Sequence, residues 1–276
     1  MVGTHIRLHD TITNAINAAI RMDIPIFQTF LINSEGKRIR IAPEEIEQFK
    51  KLKQQFESIF IHTSYWVNLS SKANHGMRAL ERELTLALQL GLTKLIIHPG
   101  AAVGFDNKKE CKQDGIAILV ERLNTIMKKY PSVTILLENT THANNCIGSD
   151  LNDFKEIFSQ LATTDNVQLC IDTSHAYGYG YDISTPEGQV EFIQLIDDVV
   201  GIDKVGLIHL NDTPEELGKK IDRHAAPGHG NIGSEALKQF VNQEALKDIP
   251  IILELPVVTQ QEEIDAVELV KSWRNL

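Results

Sequence analysis

The chain of 276 residues is 42% hydrophobic and 23% charged, with a formal net charge of −10, the profile of a soluble globular protein with one large core. It has no apolar run near the ~20 residues that span a bilayer and no basic, apolar leader. Its three widely spaced cysteines, Cys111, Cys146 and Cys170, outline no disulfide framework and no cysteine zinc knot, so a cytoplasmic, non-secreted protein is expected. The charge alone disfavours nucleic acid, although three divalent ions would add about +6, concentrated where they bind.

Short β-branched runs alternate with amphipathic stretches. Strands are expected over Gly3 to Arg7, Pro25 to Leu31, Ser58 to His62, Lys94 to His98, Thr134 to Glu138, Val167 to Ile171, Val205 to Leu210 and Ile251 to Glu254. Ile12, Ala15, Ile16 and Ala19 keep helical spacing, as do Leu80, Leu84, Ala87 and Leu88. Thr185-Pro186 reads as an N-cap followed by proline at the first helical position, opening a helix to about Val200. Thr259 to Trp273 closes the chain as a helix with Ile264, Val267 and Val270 on one side.

Nearly continuous apolar strands, each followed by a helix, imply a parallel sheet covered on its outer face. Eight such units without a linker predict an α/β fold, a single (β/α)8 TIM barrel over residues 1–276. A doubly wound open sheet is the alternative. It calls for a glycine-rich turn after the first strand, where Arg7-Leu8-His9-Asp10 stands instead.

Active sites of such barrels lie at the C-terminal ends of the strands. Here six successive strands finish in a side chain able to ligate a metal: His62, His98, Glu138, Asp172, His209 and Glu254. His175 follows Asp172 by three residues, and Asp222 and His224 lie in the long loop after the seventh strand. A single histidine at a strand end is more often a packed core residue, and Asp172-Thr173-Ser174 alone reads as a helix N-cap. Burying unpaired charge is costly, and chelation explains all six strand ends at once. Imidazole and carboxylate are a donor set that zinc prefers, so a multi-metal hydrolytic centre is expected. Gly228, Gly230 and Gly233, with Asn231, form a turn into a helix beginning near Ser234.

Three segments carry a family likeness: Leu136-Leu137-Glu138-Asn139-Thr140, then Cys170-Ile171-Asp172-Thr173-Ser174-His175 through Asp182, and His209-Leu210-Asn211-Asp212 continuing to Asp222-Arg223-His224 and Gly228 through Gly233. With His62-Thr63-Ser64-Tyr65 and Leu253-Glu254, the chain closely resembles the endonuclease IV family of apurinic/apyrimidinic (AP) endonucleases along essentially its whole length. The resemblance implies a barrel with about three zinc ions, manganese being an alternative at one. It implies cleavage of double-stranded DNA on the 5′ side of an abasic site, leaving a 3′-hydroxyl and a 5′-deoxyribose phosphate. By its motifs, His62, His98 and Glu138 hold one ion, and Glu138 bridges to a second held by Asp172, His209 and Glu254. His175, Asp222 and His224 hold the third, and the implied catalytic groups are Glu138 and Glu254, with His5 as an extra participant or supporting donor.

In that family, loops after the second and third strands enter the DNA. Tyr65-Trp66 matches the later loop, and an aromatic pair suits wedging between bases. The earlier loop lacks a Lys-Asn-x-Arg pattern, with Glu35 where an arginine would fall, so Asn33, Lys37 and Arg38 are its expected contacts. Arg223 and Asn231 complete the DNA-binding set, and His229 replaces a residue that is usually acidic or polar. No membrane or obligate protein partner is expected, and barrel packing accounts for the amphipathic helices, so the chain is expected to be a monomer. The rival reading is a xylose-isomerase-like sugar isomerase or epimerase, which shares the architecture. Such enzymes favour carboxylate-rich sites for one or two magnesium or manganese ions. The imidazoles of His62, His98, His175, His209 and His224, with Asp222 beside the last, favour the nuclease.

Overall fold

Eight parallel strands pair in chain order and close on themselves, β8 returning to β1. The structure, a computed structural model, describes residues 1–8, 11–32, 41–105 and 111–274. The strands are β1 (Val2–His5), β2 (Ile26–Thr29), β3 (Ser58–His62), β4 (Lys94–Ile97), β5 (Thr134–Glu138), β6 (Val167–Asp172), β7 (Val205–His209) and β8 (Ile251–Leu253). The helices are α1 (Ile12–Arg21), α2 (Pro43–Leu52), α3 (His75–Gln89), α4 (Cys111–Lys129), α5 (Asn152–Gln160), α6 (Thr173–Tyr179), α7 (Pro186–Val200), α8 (Ser234–Val241) and α9 (Gln260–Trp273). This is the expected single (β/α)8 barrel. Several strands end earlier than their apolar runs, because Arg7, Leu31, His98, Leu210 and Glu254 have already left the ladder for the loops.

The helix signals act through backbone capping. Thr185 Oγ1 accepts from Gly188 N at 3.2 Å and starts α7. A reciprocal capping box between Thr259 and Glu262 starts α9. Outside the barrel wall, Ile12, Ile16 and Ala19 of α1 and Leu80, Leu84 and Ala87 of α3 are fully buried. Removing this apolar surface from water is the main force holding helices to sheet.

Strand geometry then builds the lumen. Side chains alternate faces along a strand, so residues two apart share a face. One inward layer is an apolar plug of Ile26, Phe60, Ile96, Leu136, Cys170, Leu207 and Ile252, with Met1 packed against it. Its place in β1 is taken by Gly3, in register with Ile252. Two residues further on, the same face carries His5, Gln28, His62, His98, Glu138, Asp172, His209 and Glu254. Every strand thus contributes an apolar residue or glycine to the floor and a polar residue to the level above it.

Gly3 is required where it stands, since a Cβ there would collide with the Ile26 carbonyl. Gly3→Ala should therefore overpack the β1–β2 seam and cost about 1–3 kcal/mol. Urea denaturation reads this directly, and an unchanged midpoint would contradict the close approach.

Candidate metal centre

Glu138, at the end of β5, is completely buried. Its Oε2 lies 3.0 Å from His62 Nε2 and 3.1 Å from His98 Nε2. Its Oε1 lies 3.2 Å from His209 Nδ1 and 3.3 Å from His175 Nδ1. Imidazoles from β3, β7, α6 and the end of β4 thus converge on a single carboxylate.

Three overlapping donor sets surround it, the atoms of each within 4.8 Å of one another. One is His62, His98 and Glu138; the second is Glu138, Asp172, His209 and Glu254; the third is Asp172, His175 and His224. Asp172 thus joins the third set as well as the second. Asp222, expected in the third, stands beside it, 3.2 Å from His175 Nε2 and 3.6 Å from His224 Nε2. His5 falls in none of these sets and lies 3.8 Å from Glu254. Cys170, at the floor, is close enough to group with Glu138 and His209. Its burial pushes the thiol up to about 12, so it stays protonated.

The rings are held by their far nitrogens. His62 Nδ1 lies 2.8 Å from Thr63 O, His175 Nδ1 2.9 Å from Asn139 O, and His224 Nδ1 3.3 Å from Glu254 O. A carbonyl accepts only from N–H, so each contact puts the proton on Nδ1 and leaves Nε2 free as a ligand. His175 Nε2 and His224 Nε2 are buried and make no hydrogen bond, despite the carboxylates nearby. Buried polar atoms without partners are rare, and ring nitrogens gathered round a shared centre with carboxylates fit a cation. The donor chemistry suits a divalent metal.

Electrostatics agree. Burial opposes ionisation of Glu138, yet the charges on His209 and His98 and bonds with His175 and His209 hold its carboxyl well below the usual range. Burial likewise opposes protonation of His175, but Asp172, Asp222 and Glu138 raise it well above an ordinary histidine. In the metal-free chain, protons therefore supply the positive charge that a cation would bring, and metal binding must release them. His5 differs: burial dominates and lowers it to about 3, so it is neutral.

Residues 16–276 match the family model described as xylose isomerase-like TIM barrel. Over 281 residues the chain is 32% identical to the probable endonuclease 4 of Nitrosopumilus maritimus (strain SCM1), covering 99% of each. It is 31% identical to apurinic-apyrimidinic endonuclease 1 of Saccharomyces cerevisiae, covering 92% of this chain and 71% of that one. The chain belongs to the endonuclease IV family. Endonuclease IV from Thermus thermophilus superposes with a TM-score of 0.82 at 26% identity, covering 99% of this chain and 98% of that one.

Other side chains expected in this endonuclease IV family site sit at its rim. Tyr65 and Trp66 are 83% and 70% exposed on the loop after β3, with the Tyr65 ring centred 6.3 Å from that of His98. Arg223 is exposed and pairs with Glu215 at 3.0 Å. Asn231 spends its amide on the Pro214 and Glu215 carbonyls, which makes it a brace for the loop. Asn33, Lys37 and Arg38 lie outside the described residues. Among the described residues, no helix is long and apolar enough to cross a membrane.

Two buried amides and a carboxylate were not singled out from sequence. Asn139 bonds both backbone groups of Asp172, and Asn211 donates to Asp172 Oδ2 at 2.6 Å while accepting from Glu254 N. Asp212, also buried, accepts from the amides of Thr213, Gly228, Gly230, Ile232 and Gly233. It thereby ties down both ends of the loop that carries Asp222 and His224. Gly230 allows this approach, since a Cβ there would strike the Asp212 carboxylate. Their sequence signal is slight: polar residues just after a strand, with partners fixed only by the fold. Asp212→Asn should cost about 2–3 kcal/mol by leaving amides of the cluster unpaired. A lowered denaturation midpoint together with weaker metal binding would bear this out; a wild-type midpoint would refute it.

Proposed function

We propose that the chain is a metal-dependent AP endonuclease, hydrolysing the phosphodiester 5′ to an abasic site in duplex DNA with about three zinc ions at the barrel mouth. The products are a 3′-hydroxyl and a 5′-deoxyribose phosphate. The observation that carries this reading is Glu138, a fully buried carboxylate with imidazoles on both oxygens, shared by two donor sets. Family membership supplies the reaction class, and the donor set supplies the means.

Bound divalent ions supply positive charge for the phosphodiester and acidify a water nucleophile. The residues of the chain do the rest. Glu138 ties the first two sets together, and Asp172 ties the second to the third. Strand-borne ligands keep that spacing rigid, which favours in-line attack. Glu138, Asp172, Asp222 and Glu254 converge on the same mouth. Protons on the imidazoles only offset these carboxylates, whereas bound divalent ions would leave positive charge for a phosphate, so the mouth would admit DNA best once loaded with cations. The mouth is itself a cleft of about 300 Å³, lined by donors that include His98, His175, Asp222 and Glu254 together with Phe30, Tyr65, Arg223 and Pro256. The exposed rings of Tyr65 and Trp66 offer flat apolar faces for bases that lose their stacking partners when the lesion opens. Arg223, exposed at this edge, would contact a phosphate. A monomer suffices for every part of this site.

The test is incision of a duplex carrying one abasic site, with intact duplex and ketose sugars beside it. Metal-loaded protein should cut only at the lesion. Sugar turnover without incision would support the isomerase reading instead. Glu138→Gln should lower incision by more than about a hundredfold, since even a residue that only supports a ligand commonly costs 10–100-fold. Elemental analysis of the same variant should show fewer bound zinc ions than wild type, and full zinc with full activity would end the proposal. Chelator-stripped protein should also lose affinity for abasic DNA, measured by fluorescence anisotropy. Affinity unchanged by stripping would show that the carboxylate group does not gate entry.

A further inference from the structure

Three of the site's imidazoles, His62, His175 and His224, are held by backbone carbonyls, which no substitution can delete. His209 is held the other way round. Its Nδ1 faces the carboxylates of Glu138 and Glu254 at 3.2 and 3.3 Å. Its Nε2 lies 2.8 Å from the side-chain Oε1 of Gln28. Gln28 is fully buried in the middle of β2 and uses every polar atom it has. Its Nε2 donates to Glu254 Oε1 at 2.6 Å and lies 2.8 Å from His5 Nδ1.

Only one orientation of the amide satisfies all these partners. Glu254, as a carboxylate, only accepts, so the Gln28 nitrogen must face it and the oxygen must face His209. A carbonyl oxygen accepts only from N–H, so His209 Nε2 carries a proton, and Nδ1 is the ring nitrogen left to give a lone pair to a metal. The remaining amide hydrogen goes to His5 Nδ1, which places the His5 proton on Nε2, a buried atom with no other partner. Turned over, Gln28 would set its oxygen against Glu254 and draw the His209 proton onto Nδ1, among the carboxylates.

From this geometry we infer that Gln28 is a positioning residue that selects Nδ1 as the ligating nitrogen of His209 and orients Glu254 in the same donor set. The inference rests on the metal-dependent reading above. It assigns a role to a residue on a strand that carries none of the donor sets.

The experiment is a zinc titration of wild-type, Gln28→Met and Gln28→Glu chains, followed by competition with a zinc-binding dye and by histidine ¹⁵N–¹H correlation spectra. In zinc-loaded wild type, His209 should carry its proton on Nε2. Gln28→Met should weaken zinc at the His209 set about 10–100-fold, while His62 and His98 respond at wild-type zinc concentrations. Gln28→Glu keeps an oxygen opposite Nε2 and shares one proton with Glu254, so it should retain the wild-type protonation of His209 and recover most of the affinity. Unchanged zinc binding in Gln28→Met, equal weakening of every set, or a His209 proton off Nε2 in Gln28→Glu would each overturn the assignment. Should Gln28→Met not fold, Gln28→Glu alone decides through the position of that proton. Wild type that binds zinc and incises abasic DNA, beside an unaffected Gln28→Met, would sink this inference and leave the nuclease reading intact. Wild type that takes up no zinc would remove both.

Discussion

Charge compensation in a dry lumen is the interaction on which the rest of this structure depends. Glu138 and Asp172 are wholly buried and Glu254 nearly so, on a floor of aliphatic side chains. Desolvating even one carboxylate there is prohibitive without positive charge at contact distance. The imidazoles answer that need in the metal-free chain by holding protons. A cation answers it better, because it satisfies several donors at once. Protons on the imidazoles thus meet the need in the metal-free chain, and a divalent cation would meet it while adding chemistry.

Period-two alternation is why so much of this was legible from residues alone. A run such as Thr134 to Leu137 closing in Glu138, or Val205 to Ile208 closing in His209, announces both a buried strand and a polar group at its tip. Repeated along the chain, the pattern revealed the barrel and nearly all of the cluster. What stayed hidden depends on contacts between distant segments. The sharing of Asp172 between donor sets follows from how α6 and the Asp222 loop fold over β6, which no local pattern encodes. Asn231, expected among the DNA contacts, also donates its amide to the Pro214 and Glu215 carbonyls, a brace that no local pattern announces. Gln28 sits inside an apolar run, where one amide reads as a lapse in hydrophobicity rather than as a functional group.

The centre divides into parts of different rigidity. Glu138, His62 and His209 ride on strands paired on both sides, and Asp172 caps α6 while belonging to β6. Asp222 and His224 ride on a connection whose shape is imposed by Asp212 from below. Accuracy is thus inherited from the sheet for two of the sets, while in the third Asp172 keeps that tie and the loop-borne His224 depends on one buried anion. Tyr65, Trp66 and Arg223, at the edge, are largely exposed and have few constraints beyond the Arg223–Glu215 pair.

The two-residue step from floor to mouth has a consequence for how such a protein can change. Neighbouring strands lie about 4.8 Å apart, and catalytic metal pairs sit about 3.5–4 Å apart, so the sheet acts as a ruler graduated at nearly the interval that paired cations require. Remodelling of the connections between strands and helices can redirect the molecule toward other nucleic-acid shapes without recalibrating that ruler. A slip of one residue in any strand that leads to a donor would turn that donor outward and erase one graduation altogether.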